Sequence, residues 1–412
     1  MAAHLPIGRD DSHFRMITIL LTDPEQRAAL AAARALGRRG WRVVTIGTAK
    51  GLAGASRSVA RHVALTATDT STPARYLAAI AAVVRREQVQ VIIPVTDAAS
   101  RRLLGQDVAV GAKVAGPSAG AYARASDKAA LLEVAAQCGM RVPRQYVLDS
   151  RAHTAVVLAD LHGTIAGAVV VKPAKSVVEI NGRSIGVSVR FVAHPGLLAE
   201  TVAQYPDEAF PLLIQERTFG DGVGVFLLRQ HGTTPLRFAH RRLREKPPAG
   251  GVSTYREAIE PPAALQARCE QLLDTLGYAG PAMLEFKQDA RSGEYVLMEI
   301  NARLWGSLQL AIDAGVDFPS ALVEMTLGLP ITPPRGTGVG VRSFWELGEL
   351  DHALALWRRT REQLHAPVTL AVGAVAALHA LADHRWSDRP EVFRWSDPMP
   401  FVVELSRWIR GR

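Results

Sequence analysis

Glu299 and Asn301 stand two apart in an otherwise apolar run, "YVLMEINARLWGS" (295–307), and Arg303 follows them. Strand alternation puts Leu297, Glu299 and Asn301 on one face, with Val296, Met298 and Ile300 on the other. Upstream, "AMLEFKQ" places Glu285 on the face of Met283 and Lys287. If "ARSGE" is the turn, a hairpin centred on Ser292 sets Glu285 opposite Glu299, each seven residues away. Two carboxylates facing across a ladder repel each other, and a divalent cation would remove that cost. Two carboxylates and an amide oxygen suit Mg²⁺, which keeps waters and phosphate oxygens in its shell. The polar-out side of an ordinary hairpin would carry the same residue types, so the pattern needs company to mean more.

That company is cationic. Lys and Arg total 48, yet only seven are lysines: Lys50, Lys113, Lys128, Lys172, Lys175, Lys246 and Lys287. In a chain that uses Arg for solvated charge, Lys172, at the end of the apolar strand "AGAVVVKP", is conspicuous. An unpaired ammonium there is costly, so an anionic partner is expected. Lys128 sits in the first turn of a helix, a position the helix dipole slightly disfavours for a cation. "AHRRLREKPPAGGVST" adds an arginine-dense strand with Arg242, whose planar guanidinium suits carboxylates and acyl phosphates. In an Arg-rich chain this could equally be a surface strand.

The elements that must position these residues follow from periodicity. "MITILL" (16–21) reads as a strand. Thr22 or Asp23 would cap a helix with Pro24 at its first position, running to about Leu36. "WRVVTIG" is a second strand, "STPARYLAAIAAVVRREQ" a second capped helix and "VQVIIPVTD" a third, fully apolar strand. Such alternation predicts parallel βαβ units in a doubly wound domain. No GxGxxG follows the first strand, so the dinucleotide fingerprint is absent. From about 125 the pattern changes. Ser126 would cap a helix "DKAALLEVAAQC" that Gly139 ends, and strands "AGAVVVKP", "VSVRFVA" and "PLLIQERTFGDGVGVFLLRQHG" follow, the last as strand, Gly-rich turn, strand. "DFPSALVEMTLGL" is a closing helix. Beyond 331 lies a tail with five of the seven tryptophans. Its most apolar run, "APVTLAVGAVAALHALA" (366–382), is 17 residues long, short for a membrane span and better read as a packed helix.

At this point the residues resemble the ATP-grasp superfamily, in which ATP and Mg²⁺ are held between two α+β lobes and a carboxylate is phosphorylated. The resemblance covers roughly 15–330 and is carried by "MEINARLWGS", "VVVKP" and "LIQERTFG". It implies an α/β and α+β chain with four parts: a doubly wound pre-ATP-grasp domain (15–120), a small lobe (121–214), a large lobe with the metal hairpin (215–330) and a mainly helical C-terminal extension (331–412). It implies metal ligands Glu285, Glu299 and Asn301, and nucleotide contacts at Lys128, Lys172, Gln215, Glu216, Arg217, Phe219 and, as a ribose ligand, Asp221. Lys172, Arg242 and Arg303 become the groups that meet the transferring phosphoryl group and the reacting acid. The cofactors implied are ATP and Mg²⁺, two ions by the family pattern, with Mn²⁺ able to substitute. The loop "AKSVVEINGRSIG" departs from the pattern, which has a glycine run over the phosphates there; Gly182, Ser184 and Gly186 leave a backbone cradle open.

The activity implied is an ATP-dependent carboxylate–amine ligase, forming an amide through an acyl phosphate with release of ADP and phosphate. Its partners would be a small carboxylate and an amine, and a homodimer is common among the proteins resembled. The rival enzyme is a carboxylase or acyl-phosphate maker with another nucleophile; no biotin-carrier motif is present in the chain. The rival outside enzymology is a basic nucleic-acid- or membrane-binding protein, since 412 residues carry a net charge of +9. The arginines are scattered rather than gathered in one arm, and that reading leaves the paired glutamates unexplained. The composition, 48% hydrophobic and 21% charged, is that of a soluble globular protein. Two isolated cysteines, Cys138 and Cys269, fit a reducing cytoplasm. "MAAHLPIGRDD" carries acidic residues where a signal peptide would be apolar, an expectation against secretion.

Overall fold

"TILLT" buries all five of its side chains, as a strand covered on both faces must, and forms β1 (Thr18–Thr22). The computed structural model describes residues 16–411 apart from 163, 166, 175–176, 181–182, 188, 249, 337, 359–374, 376 and 380–381. Next to β1 lie β2 (Arg42–Gly47), β3 (Arg61–Ala64), β4 (Val91–Ile93) and β5 (Lys113–Val114), in a wholly parallel sheet of order β3-β2-β1-β4-β5. Helix α1 (Arg27–Arg38) packs its alanine face on Ile19, Leu21 and Val43, while α2 (Pro73–Glu87) sets Ile80 and Val84 against Leu20, Val44 and Ile46 on the other side. The doubly wound expectation holds. Two edge strands, β3 and β5, were not legible because they are short and half exposed.

Helix starts show what local signals miss. Pro73 follows the cap Thr72, as expected, with Thr72 Oγ1 accepting from Arg75 N–H at 3.2 Å. By contrast α1 begins at Arg27, not after Thr22 or Asp23. Asp23 takes φ +52° and its Oδ2 accepts from Thr22 and Thr96 hydroxyls (2.6 and 3.0 Å), tying the end of β1 to that of β4. Thr96 in turn caps α3 (Asp97–Leu103). Ser126 is the last residue of α4 (Ala119–Ser126), and it is Asp127 that caps α5 (Lys128–Gln137), accepting from Ala129 and Ala130 N–H. Asp127 wins because Ser126 is still helical and its hydroxyl donates to Ala123 O.

A second sheet is antiparallel, of order β10-β7-β11-β6, from β6 (Gln145–Leu148), β7 (Val169–Pro173), β10 (Arg190–Val192) and β11 (Leu212–Glu216). The segment after Pro173 is not an irregular loop: β8 (Val177–Ile180) and β9 (Arg183–Gly186) pair as a separate hairpin.

The third sheet has order β16-β15-β12-β13-β14-β17-β18, with β12 (Gly220–Gln230), β13 (Thr233–Lys246), β14 (Val252–Ile259), β15 (Gly280–Asp289), β16 (Tyr295–Asn301), β17 (Arg342–Phe344) and β18 (Arg389–Pro390). Thus "LLIQERTFGDGVGVF" is not one hairpin: β11 and β12 belong to different sheets, and the Arg217–Phe219 stretch crosses between them. Helix α6 (Phe318–Leu327) starts at Asp317, whose carboxylate accepts from Ser320 N–H, and ends at Gly328.

The tail is helical in α7 (Glu346–Arg358) and α8 (Met399–Ile409), but it also supplies β17 and β18 to the third sheet. Most of 366–382, including the apolar run, lies outside the described residues, as do residues 1–15; among the described residues no helix is long and apolar enough to cross a membrane. Asp397 anchors the tail beside the parallel sheet, meeting Arg34 Nε at 2.9 Å, Ser56 Oγ at 2.6 Å and Arg57 N–H at 3.0 Å. Burial works to raise its pKa, but Ser56, Arg57 and Arg34 together hold it below the usual range. Ser56→Ala should therefore cost about 1–2 kcal/mol, read as a lower midpoint in chemical denaturation. An unchanged midpoint would show that the anchor carries no stability.

Candidate functional site

Glu285 pairs with Glu299 and Met283 with Asn301 across β15 and β16, the register expected. Leu297, however, does not share the face of Glu299 and Asn301. The ladder shifts between Glu285 and Phe286, so that Phe286 pairs with Leu297 and Met298 is the extra residue. Leu297 therefore joins Leu284, Phe286 and Ile300 in the core rather than sharing the face of Glu299. The bulge keeps the acidic face at the end of the hairpin while the rest of it packs.

The floor beside these carboxylates is cleared by glycine. Gly224 pairs with Glu285 and with His240, and Gly222 pairs with Lys287. A Cβ on Gly222 would lie 2.6 Å from Arg242 Cδ and 2.9 Å from Glu245 Oε1, so Arg242 can cross β12 only because nothing stands there. Arg242 Nη2 meets Glu285 Oε2 at 2.7 Å and Nη1 meets Glu245 Oε1 at 3.0 Å. Lys287 Nζ lies 3.3 Å from Glu245 Oε2. Burial works against the Arg242 charge, yet Glu285 and Glu245 hold its pKa above the ordinary value; His240 beside it is fully enclosed and kept neutral by burial.

On the other flank, Lys128 Nζ binds Glu299 Oε2 at 2.7 Å. The backbone N–H of Lys128 donates to Ala174 O at 3.4 Å, which joins α5 to the end of β7. Glu299 is held well below the usual carboxylate range, chiefly by Lys128, with Lys172 assisting against the effect of burial. Asn301 Nδ2 donates to Glu299 Oε1 at 3.3 Å, and its Oδ1 accepts from Arg303 Nη2 at 3.2 Å. Arg303 also pairs at 2.9 Å with Asp97, the first residue of α3, beside the parallel sheet.

Lys172 closes the cluster. Its residue is 6% exposed, and among the described residues its ammonium makes no hydrogen bond or ion pair. Burial lowers its pKa to about 8; Lys128 pushes in the same direction, while Glu299 and Glu285 pull partly back. A buried cation with no partner among the described residues, within the electrostatic reach of Glu299, Glu285 and Lys128, suits an anion.

The structure thus gathers Lys128, Lys172, Arg242, Glu285, Glu299, Asn301 and Arg303 into one connected cluster. The hinge residues stand as follows. Gln215 is buried and its Nε2 donates to Gln145 Oε1 at 3.0 Å. The N–H groups of Glu216 and Arg217 donate to Arg144 O and Ala168 O. The Arg217 guanidinium lies over Phe191 and Phe219, 4.8 and 4.7 Å from the ring centroids, and Phe219 is 58% exposed. Asp221 is exposed, and alternation places it on the face of Val223, opposite to Gly222. Sequence reasoning missed Asp97 and Glu245 as members of the cluster. Asp97 closed the apolar strand run "VQVIIPVTD", and Glu245 lay in an Arg-rich run; neither spacing announces a contact more than forty positions away in the chain.

Among the described residues no group of three His, Cys, Asp or Glu is set to hold a metal by itself. Glu285, Glu299 and Asn301 give two carboxylates and one amide oxygen, which fits an ion whose shell is completed by phosphate oxygens and water, as Mg²⁺ prefers.

Comparison with known proteins agrees with this geometry. Residues 209–344 match the family described as "ATP-grasp in the biosynthetic pathway with Ter operon". Similar solved structures include an L-amino acid ligase from Bacillus licheniformis (TM-score 0.59, 16% identity, covering 76% of this chain and 74% of that one). Another is an N5-carboxyaminoimidazole ribonucleotide synthetase in complex with ADP (0.61, 14%, 79% and 80%). A third is the biotin carboxylase domain dimer of the Hydrogenobacter thermophilus 2-oxoglutarate carboxylase with MgADP, ADP and bicarbonate (0.60, 15%, 80% and 73%). No curated protein matches the chain in sequence. The chain has the fold of these ATP-grasp proteins, and its stretch 209–344 matches an ATP-grasp family model.

Proposed function

We propose that the protein is an ATP-dependent carboxylate–amine ligase that releases ADP and phosphate. The observation that carries the reading is the buried Lys172, without a partner among the described residues, in the field of Glu299 and Glu285, with Lys128 paired to Glu299 and Arg303 bonded to Asn301. Such a cluster suits a polyphosphate bound with a cation. In the reading, Glu285, Glu299 and Asn301 would hold Mg²⁺, which would supply positive charge to offset that of the phosphates. The nucleotide base would lie at the crossing from β11 to β12, near Gln215, Glu216, Arg217 and Phe219; Asp221, on the face of β12 opposite to Gly222, is left out of the ribose contact.

Lys172 and Arg303 spread the charge of the transferring phosphoryl group. A substrate carboxylate oxygen attacks the γ-phosphorus as the bond to ADP breaks, and Arg242 orients the resulting acyl phosphate. An amine then attacks the acyl carbon, phosphate leaves with the bonding electrons and the amine proton passes to solvent. No enzyme nucleophile is needed. Likeness to an amino-acid ligase supports amino-acid-like substrates; likeness to carboxylases keeps bicarbonate as the competing acid. Two free cysteines and the small-molecule substrates fit a cytoplasmic enzyme, and a homodimer fits the fold.

The test is ADP release with Mg²⁺-ATP over a panel of amino acids, singly and in pairs, with bicarbonate as a separate arm and mass spectrometry of the products. ADP and phosphate that form only with an acid and an amine together are the expected result. AMP and pyrophosphate would sink the mechanism, and turnover with bicarbonate alone would favour the carboxylase.

A further inference from the structure

Glu245 should not face the site at all. In a regular strand it would point away from Arg242, three residues earlier, because side chains alternate. The ladder between β13 and β14 shifts register twice, between Arg242 and Arg244 and again between Arg244 and Glu245. That irregularity turns Glu245 onto the face of Arg242 and sends Arg244 to the tail, where it meets Glu349 at 2.6 Å. The tail helix α7 also grips the backbone here: His352 Nδ1 lies 2.7 Å from Glu245 O, and Asp351 pairs with Lys246. A doubly distorted strand, clamped on three consecutive residues, exists to aim something.

We propose that Glu245 is a positioning residue that keeps Arg242 from monopolising Glu285; the proposal rests on the reading of Glu285 as a metal ligand. Arg242 divides its two terminal nitrogens between Glu285 and Glu245. A cation arriving at Glu285 competes with the guanidinium for the same carboxylate oxygens. With Glu245 present, Arg242 stays paired when it yields Glu285, so a buried guanidinium is not orphaned. It also stays in place, over Gly222, with one edge freed toward the substrate. Without the Glu245 charge, Arg242 closes wholly on Glu285 and resists the cation.

The test is Mn²⁺ binding to the full-length protein with ADP, followed by electron paramagnetic resonance, in a double-mutant cycle. Glu245→Gln should raise the Mn²⁺ dissociation constant about tenfold, the scale of losing a group that orients a ligand. In an Arg242→Gln background the competitor is gone, so adding Glu245→Gln should change the constant less than about twofold. An effect of equal size in both backgrounds would mean that Glu245 acts only through its distant charge or through folding, and no effect in the single variant would mean that it does not act; either overturns the proposal. If Glu245→Gln does not fold, Glu245→Asp serves, since it keeps the charge but shortens the reach, and its smaller weakening should again require Arg242. Failure of the unaltered protein to bind Mn²⁺ with ADP would overturn the metal-site reading as well as this one, whereas binding that ignores Glu245 overturns this one alone.

Discussion

Glu299→Gln should lower turnover about a thousandfold, roughly 4 kcal/mol of transition-state stabilisation, while leaving the fold intact. The substitution keeps the shape of the side chain and removes its charge. Three dependencies converge on that charge. Lys128 is held at 2.7 Å, Asn301 donates to it at 3.3 Å, and it stands in register with Glu285. A neutral amide would ligate a divalent cation weakly and hold the Lys128 ammonium less firmly. The bland view, in which the hairpin merely presents a polar face to water, predicts a change of no more than a few tenths of a kcal/mol in any property. Steady-state rates at saturating ATP and Mg²⁺, with Mn²⁺ binding as a readout free of substrate identity, separate the two. Near-normal rates in the variant would end the ligase mechanism as drawn.

Lys172→Met should separate stability from function in opposite directions. Met fills a similar volume without a charge, so the ligand-free protein should become more stable. Affinity for MgADP should fall by about two orders of magnitude, because a charge-assisted contact inside a water-poor cleft is lost. The pH dependence follows from the sign of the shift. Burial, helped by Lys128, lowers the Lys172 pKa from 10.5 to about 8 in the folded, ligand-free protein. Between those values the unfolded chain binds more protons than the folded one, so ligand-free stability gains from this residue as pH rises through the window. Nucleotide binding behaves the other way. A phosphate partner favours the charged form, so binding takes up a proton near pH 8 and affinity weakens above it. Calorimetry of MgADP binding in buffers of different ionisation enthalpy reads that proton directly. A binding enthalpy that is independent of buffer at pH 8, or a Met variant with unchanged affinity, would remove Lys172 from the phosphate site.

The tail braces the third sheet. Its strands β17 and β18 widen that sheet, Glu391 bridges Arg27 of α1 and Arg256 of β14, and α7 clamps the segment around Glu245. A segment that composition marks only as Trp-rich thus ties α1 to the strand beside Arg242.

What was legible from the sequence was local or nearly so. Two glutamates seven residues either side of a turn declare their own register, because a hairpin's pairing is set by its loop. A lysine at the end of a valine run declares its own burial, and its need for an anion follows from electrostatics alone. The alternation of apolar strands with capped helices declares a parallel sheet. Only the tertiary structure decided the rest. It decided that Met298 bulges and returns Leu297 to the core, that two register shifts bring Glu245 round to Arg242, and that Asp97 reaches Arg303 from beside another sheet. It also decided that β11 and β12, adjacent in the chain, part into different sheets. The reason is physical. A bulge is a compromise among the packing of several strands, and an ion pair across 206 positions has no local period, so neither leaves a mark in the order of residues.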